Sequence, residues 1–268
     1  MTDAVGCDPE AVQLHELHAQ GRRISASTWG SIDAAKPAVV LMHGGLDCTT
    51  TWKGLPEVIA ASTGLAVLAY DRYGYGRSDR LLPGRAADYR REEAGPVLGD
   101  VLRHFGVCRA VLFGHSDGGA MALLAAAAHP ETVRGVLVCA PTVAFDEQTA
   151  RAMARAREAF VGGDLRTRLL RHHGDNTDSM FWAWHDQWAN ADTLRWSMHD
   201  EIAALRCPVS TLFGADDDYG WRPSAKALVQ HGMTALEILV MPGAGHHPQH
   251  RARPATLEML ARLIARLN

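Results

Sequence analysis

The sequence lacks the features of several specialised protein classes. No stretch approaches the roughly 18 consecutive apolar residues that a membrane-spanning helix needs, and the N-terminus carries acidic residues instead of the apolar segment of a secretory signal. No long basic run is present to follow a phosphate backbone, and 27 Lys and Arg against 30 Asp and Glu give a formal net charge of -3. We therefore expect a cytoplasmic protein that binds neither membranes nor nucleic acids.

Cysteine is also sparse. The five cysteines are an odd number, lie far apart and form no C-x-x-C pair, so neither a disulfide framework nor a cysteine zinc site is predicted. No internal repeat or low-complexity tract is present. What is present is typical of a globular protein, because 47% of the residues are apolar, 21% are charged, and 268 residues can bury a large core.

Short apolar runs alternate with amphipathic segments along most of the chain. This alternation predicts a mostly parallel sheet covered by helices, which is an α/β fold. Strands are predicted over residues 38–43, 65–71, 110–114, 135–141, 208–214 and 236–243. Helices are predicted over residues 52–62, 89–105, 118–129, 223–231 and 254–267. Before the first of these strands, an outer hairpin is predicted to turn at Gln20 and Gly21.

Residues 142–204 interrupt the alternation, since no strand is predicted among them. The segment is helical in pattern and holds four of the seven tryptophans. An interval of this length predicts an inserted helical cap, or lid, instead of a loop. The core would then consist of residues 1–141 and 205–268.

The segment G-H-S-D-G at residues 114–118 lies between a predicted strand and a predicted helix. A serine on so tight a strand-to-helix turn has strained backbone torsions, and glycines on either side avoid steric clashes. The turn would expose the Ser116 hydroxyl at the carboxyl edge of the sheet. A simple helix cap does not need the flanking glycines. The pattern therefore predicts that Ser116 is a nucleophile.

A serine nucleophile needs a histidine base, and the base needs an acid that orients it. Candidates for both occur in the loops that follow the last two predicted strands. A-D-D-D-Y-G-W at residues 215–221 holds the acid candidates Asp216, Asp217 and Asp218, and A-G-H-H-P-Q-H at residues 244–250 holds the base candidates. Spacing alone does not choose among the three aspartates.

No metal ion or other cofactor is predicted. His246 and His250 are four residues apart, but the intervening Pro248 disfavours a helix that presents both to one metal ion. The glycines within residues 74–76 do not complete a dinucleotide-binding pattern, because Asp79 stands where the third glycine is required.

Five segments, in this order, resemble motifs of the α/β-hydrolase fold superfamily over nearly all of the chain. They are H-G-G at 43–45, D-R-Y-G-Y-G-R-S-D at 71–79, G-H-S-D-G-G at 114–119, G-x-x-D at 214–217 and G-A-G-H-H-P at 243–248. The resemblance implies a mostly parallel eight-stranded sheet flanked by helices, with a helical cap inserted after the sixth strand.

The resemblance also implies a catalytic triad of Ser116, Asp217 and His246. The G-x-x-D pattern selects Asp217 among the aspartates, and the family's Gly-His pattern selects His246 over His247. The oxyanion hole of this family consists of backbone N–H groups, which correspond here to those of Gly45 and Asp117.

Further candidates are side chains that could contact a substrate: His43, Trp182, Trp184, His185 and Tyr219. Trp182 and Trp184 are two residues apart and cannot share a helical face, so at least one is expected to reach the pocket. The alternative is that the tryptophans form the core of the cap.

The side chain of Asp117 allows two interpretations. A carboxylate in the first turn of a helix interacts favourably with the helix dipole. Alternatively, it faces the pocket and pairs with a cationic group of the substrate, such as the amino group of an amino-acid ester.

The function implied by the resemblance is a serine hydrolase that cleaves a small ester, lactone or thioester through an acyl-enzyme on Ser116, without a cofactor. Carbon-carbon bond hydrolysis, perhydrolysis and a lyase reaction use nearly the same residues within this fold. A ligand-binding protein without turnover is the alternative from another class, and the complete set of site residues favours an enzyme acting on a small molecule. The oligomeric state is left open.

Overall fold

The computed structural model describes residues 12–82, 86–190, 196–230 and 235–267. Its centre is an eight-stranded sheet with the strand order β1-β2-β4-β3-β5-β6-β7-β8. The strands are β1 (Gln13–Ala19), β2 (Arg22–Trp29), β3 (Ala38–Met42), β4 (Val67–Tyr70), β5 (Ala110–His115), β6 (Val133–Cys139), β7 (Val209–Gly214) and β8 (Leu236–Met241). Strand β2 is antiparallel to β1 and β4, and all other neighbours are parallel. The predicted α/β fold with a mostly parallel eight-stranded sheet is confirmed.

The central strands are apolar along their whole length because helices cover both faces of the sheet. Every residue of β3, β4, β5 and β7 is buried, as is typical of parallel strands between two helical layers. The outer hairpin of β1 and β2 turns at Gln20 and Gly21, which have φ values of 51° and 74°. The left-handed backbone of this turn explains the glycine.

Helices connect the strands, and they end near the predicted positions in most cases. Those that flank the sheet are α1 (Leu55–Thr63), α2 (Tyr89–Glu92), α3 (Leu98–His104), α4 (Asp117–Ala128), α9 (Arg222–Gln230), α10 (Pro248–Arg251) and α11 (Arg253–Ala265). Short 3-10 helices cover Thr49–Trp52 and Gly174–Asn176. The predicted end of α9 at residue 231 lies outside the described residues.

The single helix predicted over residues 89–105 is wrong in one respect. A π-helical turn, Glu93–Val97, separates α2 from α3 and contains Pro96. Proline has no backbone N–H to donate within a helix and its ring crowds the preceding turn, so the regular α-helical hydrogen bonding is interrupted there.

The described residues between β6 and β7 form four α-helices, after the sixth strand as expected. They are α5 (Glu147–Gly162), α6 (Leu165–His173), α7 (Thr177–Ala189) and α8 (His199–Ala203). Helices α5, α6 and α7 share a hydrophobic cluster that includes Phe160, Phe181 and Trp184. Met198 and Ile202 instead belong to the core cluster beneath α4. The division into a core and a separate cap at residues 142–204 stays a prediction.

No helix within the described ranges combines the length and the apolar character needed to cross a membrane.

Candidate active site

Ser116 lies between the end of β5 and the start of α4, in a backbone conformation that few non-glycine residues adopt. Its φ and ψ are 53° and -119°, and its N–H donates to the carbonyl oxygen of Cys139 over 2.9 Å. The flanking glycines allow the turn. A Cβ at Gly118 would collide with the carbonyl oxygens of Met42 and His43, and one at Gly114 would collide with the backbone of α4. Strain of this kind is typical of functional sites.

A continuous chain of hydrogen-bonding groups runs from Ser116 to Asp217. The Ser116 Oγ lies 2.8 Å from His246 Nε2, and His246 Nδ1 lies 2.9 Å from both carboxylate oxygens of Asp217. Ser116 and Asp217 are buried and the His246 side chain is 14% exposed. In the tautomer with a proton on Nδ1, Nε2 is free to accept the serine proton.

Asp217 is held as an anion. Burial raises its pKa, but the hydrogen bond from His246, the charge of His246 and the hydrogen bond from the Tyr219 N–H together outweigh burial and keep the pKa below its usual value. The backbone N–H of Tyr219 also donates to Asp217 Oδ1 over 2.9 Å. The neighbouring Asp216 and Asp218 are exposed. The structure therefore brings Asp217, among the three adjacent aspartates, to the histidine.

Tyr219 lies against the histidine of this arrangement. Its ring centroid is 4.3 Å from that of His246, with an interplanar angle of 34°. Burial raises the pKa of the Tyr219 hydroxyl to about 12, with a further contribution from the charge of Asp217. Tyr219 is therefore a neutral aromatic wall beside the imidazole.

Gly45, one of the two expected oxyanion residues, lies in the loop after β3 and is covered by α7. A Cβ at Gly45 would collide with Nε1 of Trp184, and Trp184 is buried. The second expected residue, Asp117, is the first residue of α4. Of the two tryptophans weighed for the pocket, the structure therefore brings Trp184 to the site.

Trp182 and His185 pack among the aromatic side chains of α5 and α7. The Trp182 ring makes edge-on contacts with Phe160 and Phe181, and the His185 ring stacks on Phe181. His185 Nδ1 lies 3.1 Å from Asp186 Oδ1. These contacts give both residues a structural role and do not support the predicted substrate contacts.

The structure does not support the alternative in which Asp117 pairs with a cationic substrate, because its carboxylate points into the protein. The side chain is completely buried and accepts hydrogen bonds from Arg72 Nη1 at 3.1 Å, Arg90 Nε at 2.7 Å and the Tyr89 hydroxyl at 3.0 Å. Two internal guanidinium groups compensate its charge, so no cation from a substrate is needed.

His43 is also a structural residue, which corrects its prediction as a substrate contact. Its ring is fully buried, its Nδ1 donates to Gly44 O over 2.9 Å, and its Nε2 accepts from the Arg72 N–H over 3.1 Å. Burial, together with the nearby charge of Arg72, holds the pKa of His43 well below its usual value. The neutral ring links the loop that carries Gly45 to the segment after β4.

Sequence reasoning missed two residues around the site, Arg72 and His115. Arg72 is completely buried and donates from Nη2 to Gly44 O over 2.8 Å. His115 lies 2.8 Å from Asp47 Oδ2 through Nδ1 and 2.8 Å from the carbonyl oxygen of His246 through Nε2. Arg72 and His115 stand inside the quoted motifs, so their positions were visible in the sequence, but their partners are remote along the chain.

Residues 37–205 match the family model described as the alpha/beta hydrolase fold. The chain belongs to this family. Epoxide hydrolase B of Mycobacterium tuberculosis is 35% identical over 127 residues, which are 47% of this chain and 35% of that protein. A putative carbamate hydrolase of Pantoea ananatis is 29% identical over 145 residues, 54% of this chain and 47% of that protein. These matches span less than half the length of either relative.

Solved structures align with nearly the whole chain. A bacterial membrane phospholipase A aligns with a TM-score of 0.75 over 97% of this chain and 87% of that chain, at 17% identity. The naproxen esterase of Bacillus subtilis aligns with a TM-score of 0.69 over 94% of this chain and 91% of that chain, at 19% identity. At such identities the likeness establishes the fold.

Proposed function

We propose that the protein is a serine hydrolase that cleaves a small ester, lactone or thioester through an acyl-enzyme on Ser116. The observation that carries this proposal is the unbroken chain of contacts, 2.8 Å from Ser116 to His246 and 2.9 Å from His246 to Asp217. This arrangement provides a nucleophile, a base and an orienting acid in the order that acyl transfer needs.

The reaction follows from the positions of the protons. His246 Nε2 takes the hydroxyl proton as Ser116 Oγ attacks the carbonyl carbon, and Asp217 stabilises the imidazolium that forms. The imidazolium then returns this proton to the leaving group, which leaves an acyl ester on Ser116. Water, deprotonated by the same imidazole, hydrolyses that ester and releases the acid. Every step uses protein groups and water.

The negative charge of the tetrahedral intermediate needs hydrogen-bond donors close to the nucleophile. We assign this role to the backbone N–H groups of Gly45 and Asp117. The N-terminus of α4 at Asp117 also favours negative charge at this point. Both groups lie on rigid elements, since Asp117 begins α4 and Gly45 packs beneath the buried Trp184.

The helical insertion serves in this proposal as a lid over the site. Several contacts join it to the loops at the sheet edge. His173 donates from Nε2 to Leu46 O over 3.3 Å and accepts from the Gly76 N–H at Nδ1 over 3.0 Å. Trp184 covers Gly45. The lid would shape the acyl or alcohol pocket by apolar contact, as is usual for small-molecule sites.

Epoxide opening, which the name of one relative suggests, fits this nucleophile poorly. Attack of the Ser116 oxygen on an epoxide carbon would produce an alkyl ether, which has no carbonyl for water to attack. The ether on Ser116 therefore could not be hydrolysed as an acyl ester is, and the enzyme would not complete a catalytic cycle on an epoxide. The chemistry of Ser116 favours carbonyl substrates.

A panel of p-nitrophenyl esters of increasing chain length, with a lactone and a thioester, tests the proposal. The wild type should hydrolyse at least one of them, and Ser116→Ala should lower kcat/KM by about 10⁴ to 10⁶. Ser62→Ala, at an exposed serine, is the matched control and should leave the rate unchanged. Activity of Ser116→Ala within tenfold of the wild type would remove Ser116 from the mechanism.

A further inference from the structure

Three side chains of types that commonly bind metal ions lie close together beside the proposed triad and are not part of it. Asp47, His115 and His247 each offer one ligand atom, and these atoms all lie within 4.8 Å of one another. His115 Nδ1 is 2.8 Å from Asp47 Oδ2, and His247 Nε2 is 3.7 Å from Asp47 Oδ1. The residues come from the loop after β3, the last position of β5 and the loop after β8, so the fold brings them together at the carboxyl edge of the sheet.

In this cluster, both ring nitrogens of His115 face hydrogen-bond acceptors. Both of its partners, the Asp47 carboxylate and the His246 carbonyl, are acceptors, and each lies 2.8 Å from a ring nitrogen. A neutral imidazole has a single N–H. It therefore satisfies one acceptor and leaves a nitrogen lone pair facing the other.

A metal ion between His115 and Asp47 would satisfy every one of these groups. His115 would donate its Nε2–H to the His246 carbonyl and present the Nδ1 lone pair to the ion. A metal-binding histidine usually donates its other N–H to a carbonyl or carboxylate in this way. The existing contact between His115 and His246 is thus the outer hydrogen bond that such a site requires.

We propose that Asp47, His115 and His247 form a binding site for a divalent transition-metal ion, of which Zn²⁺ is the representative. Two imidazoles and one carboxylate suit zinc and its neighbours better than calcium or magnesium. Ligands about 2.0 to 2.2 Å from one ion lie roughly 3.0 to 3.6 Å apart. The observed separations reach this range through small movements, chiefly of His247, whose side chain is 50% exposed.

An ion can reach the cluster from solvent. Asp47 and His247 line a cleft of about 540 Å³ between the sheet edge and the cap helices. A bound ion would tie the loop that carries Gly45 to the loop that carries His246, since Asp47 and His247 are their near neighbours in the chain. The sequence analysis predicts no metal ion. The three ligands proposed here form no local motif that could have indicated one.

The direct test is the stoichiometry and affinity of Zn²⁺, measured by competition with a chromophoric chelator on the full chain. The wild type should bind one ion. Because changes to outer partners alone cost about 10- to 100-fold in affinity, Asp47→Asn or His247→Gln should weaken binding by at least about 100-fold. His172→Gln is the matched control, because His172 is an exposed histidine on the same cleft and its loss should leave binding unchanged.

Two further readouts separate this site from other zinc ligands. Co²⁺ bound there should show visible bands of nitrogen and oxygen ligation without thiolate charge transfer, which excludes the cysteines. Zinc should raise Tm by about 3 to 6 °C in the wild type and in His172→Gln, but not in the two ligand variants. Equal binding by all four proteins, or no binding below millimolar zinc, would overturn the proposal. The cluster of Asp47, His115 and His247 would then share a proton in place of a metal ion.

Discussion

Arg72 and Asp117, the residue that follows Ser116, form an ion pair that is shielded from solvent. Arg72 Nη1 lies 3.1 Å from Asp117 Oδ2, and the side chains are 1% and 0% exposed. The same guanidinium donates to Gly44 O. One side chain therefore connects the residue after Ser116 with the loop that carries Gly45, so both proposed oxyanion donors depend on it.

Asp117→Asn should destabilise the protein strongly, because it removes the carboxylate that pairs directly with the buried guanidinium groups of Arg72 and Arg90. Removing one partner of a buried ion pair costs about 3 to 5 kcal/mol. Urea unfolding followed by circular dichroism measures the loss, with the exposed Asp218→Asn as the control that should remain at the wild-type value. A loss below about 1 kcal/mol would mean that the ion pair does not organise this region.

The same variant separates a structural role of Asp117 from recognition of a substrate cation. Because the carboxylate faces the interior, Asp117→Asn should change the rates on an amino-acid ester and on its uncharged desamino analogue by the same factor. The ratio of the two kcat/KM values measures this directly. A preference for the amino ester that disappears in the variant would contradict the buried position of this side chain.

Stability should fall as the pH drops below neutrality, in part because of His43. Its pKa in the folded protein is well below the usual value because the ring is buried. As the pH falls through about 6.5, His43 therefore takes up a proton in the unfolded chain but not in the folded chain. The contribution of His43 is present above pH 6.5 and is lost at lower pH, by about 2 kcal/mol between pH 7 and pH 5.

Urea unfolding at both pH values tests this assignment. His43→Gln should show a difference between the two pH values that is smaller by about 2 kcal/mol, while His18→Gln, at an exposed position, should match the wild type. If the two variants have the same pH dependence, His43 is not the group responsible.

The contact between Gly45 and Trp184 predicts coupled effects on catalysis. Gly45→Ala should lower kcat/KM by about 10² to 10³, because the new methyl group collides with the indole and displaces the loop that carries the proposed oxyanion donor. Trp184→Ala should shift the preference among acyl chain lengths by about tenfold, and should partly restore the activity of Gly45→Ala. Trp182→Ala is the control. Strict additivity in the double variant would argue against the contact.

Substitution of each of the three adjacent aspartates in turn tests which one orients His246. Asp217→Asn should lower kcat by about 10⁴, since the imidazole loses its orienting charge, while the exposed Asp216→Asn and Asp218→Asn should stay within tenfold of the wild type. If Asp216→Asn were the crippling change, the acid would lie one residue earlier.

Sequence reasoning predicts best what local patterns determine. Local sequence determines the backbone of the apolar strands β3, β5 and β7 and of the glycine-flanked turn at Ser116. These strands and this turn were therefore predictable. Pro96 also marked the break between α2 and α3, although the amphipathic pattern on either side concealed it. The fold was therefore predictable apart from such local irregularities.

The partners of buried charges were not predictable. Nothing near Asp117 in the sequence indicates that its carboxylate turns inward to Arg72 and Arg90, because those residues precede it by 45 and 27 positions. The meeting of Asp47, His115 and His247 likewise depends on how three strand ends align in the sheet. Such contacts follow from packing, which composition and spacing do not specify.

The central claim is that Ser116 is the residue that becomes acylated. Intact-mass spectrometry of the protein after reaction with a fluorophosphonate, followed by peptide mapping, measures it most directly. The account predicts one phosphonyl adduct per chain, located on Ser116, absent from Ser116→Ala and strongly slowed in Asp217→Asn. An adduct on any other residue, or an active esterase whose Ser116 stays unlabelled, would contradict it.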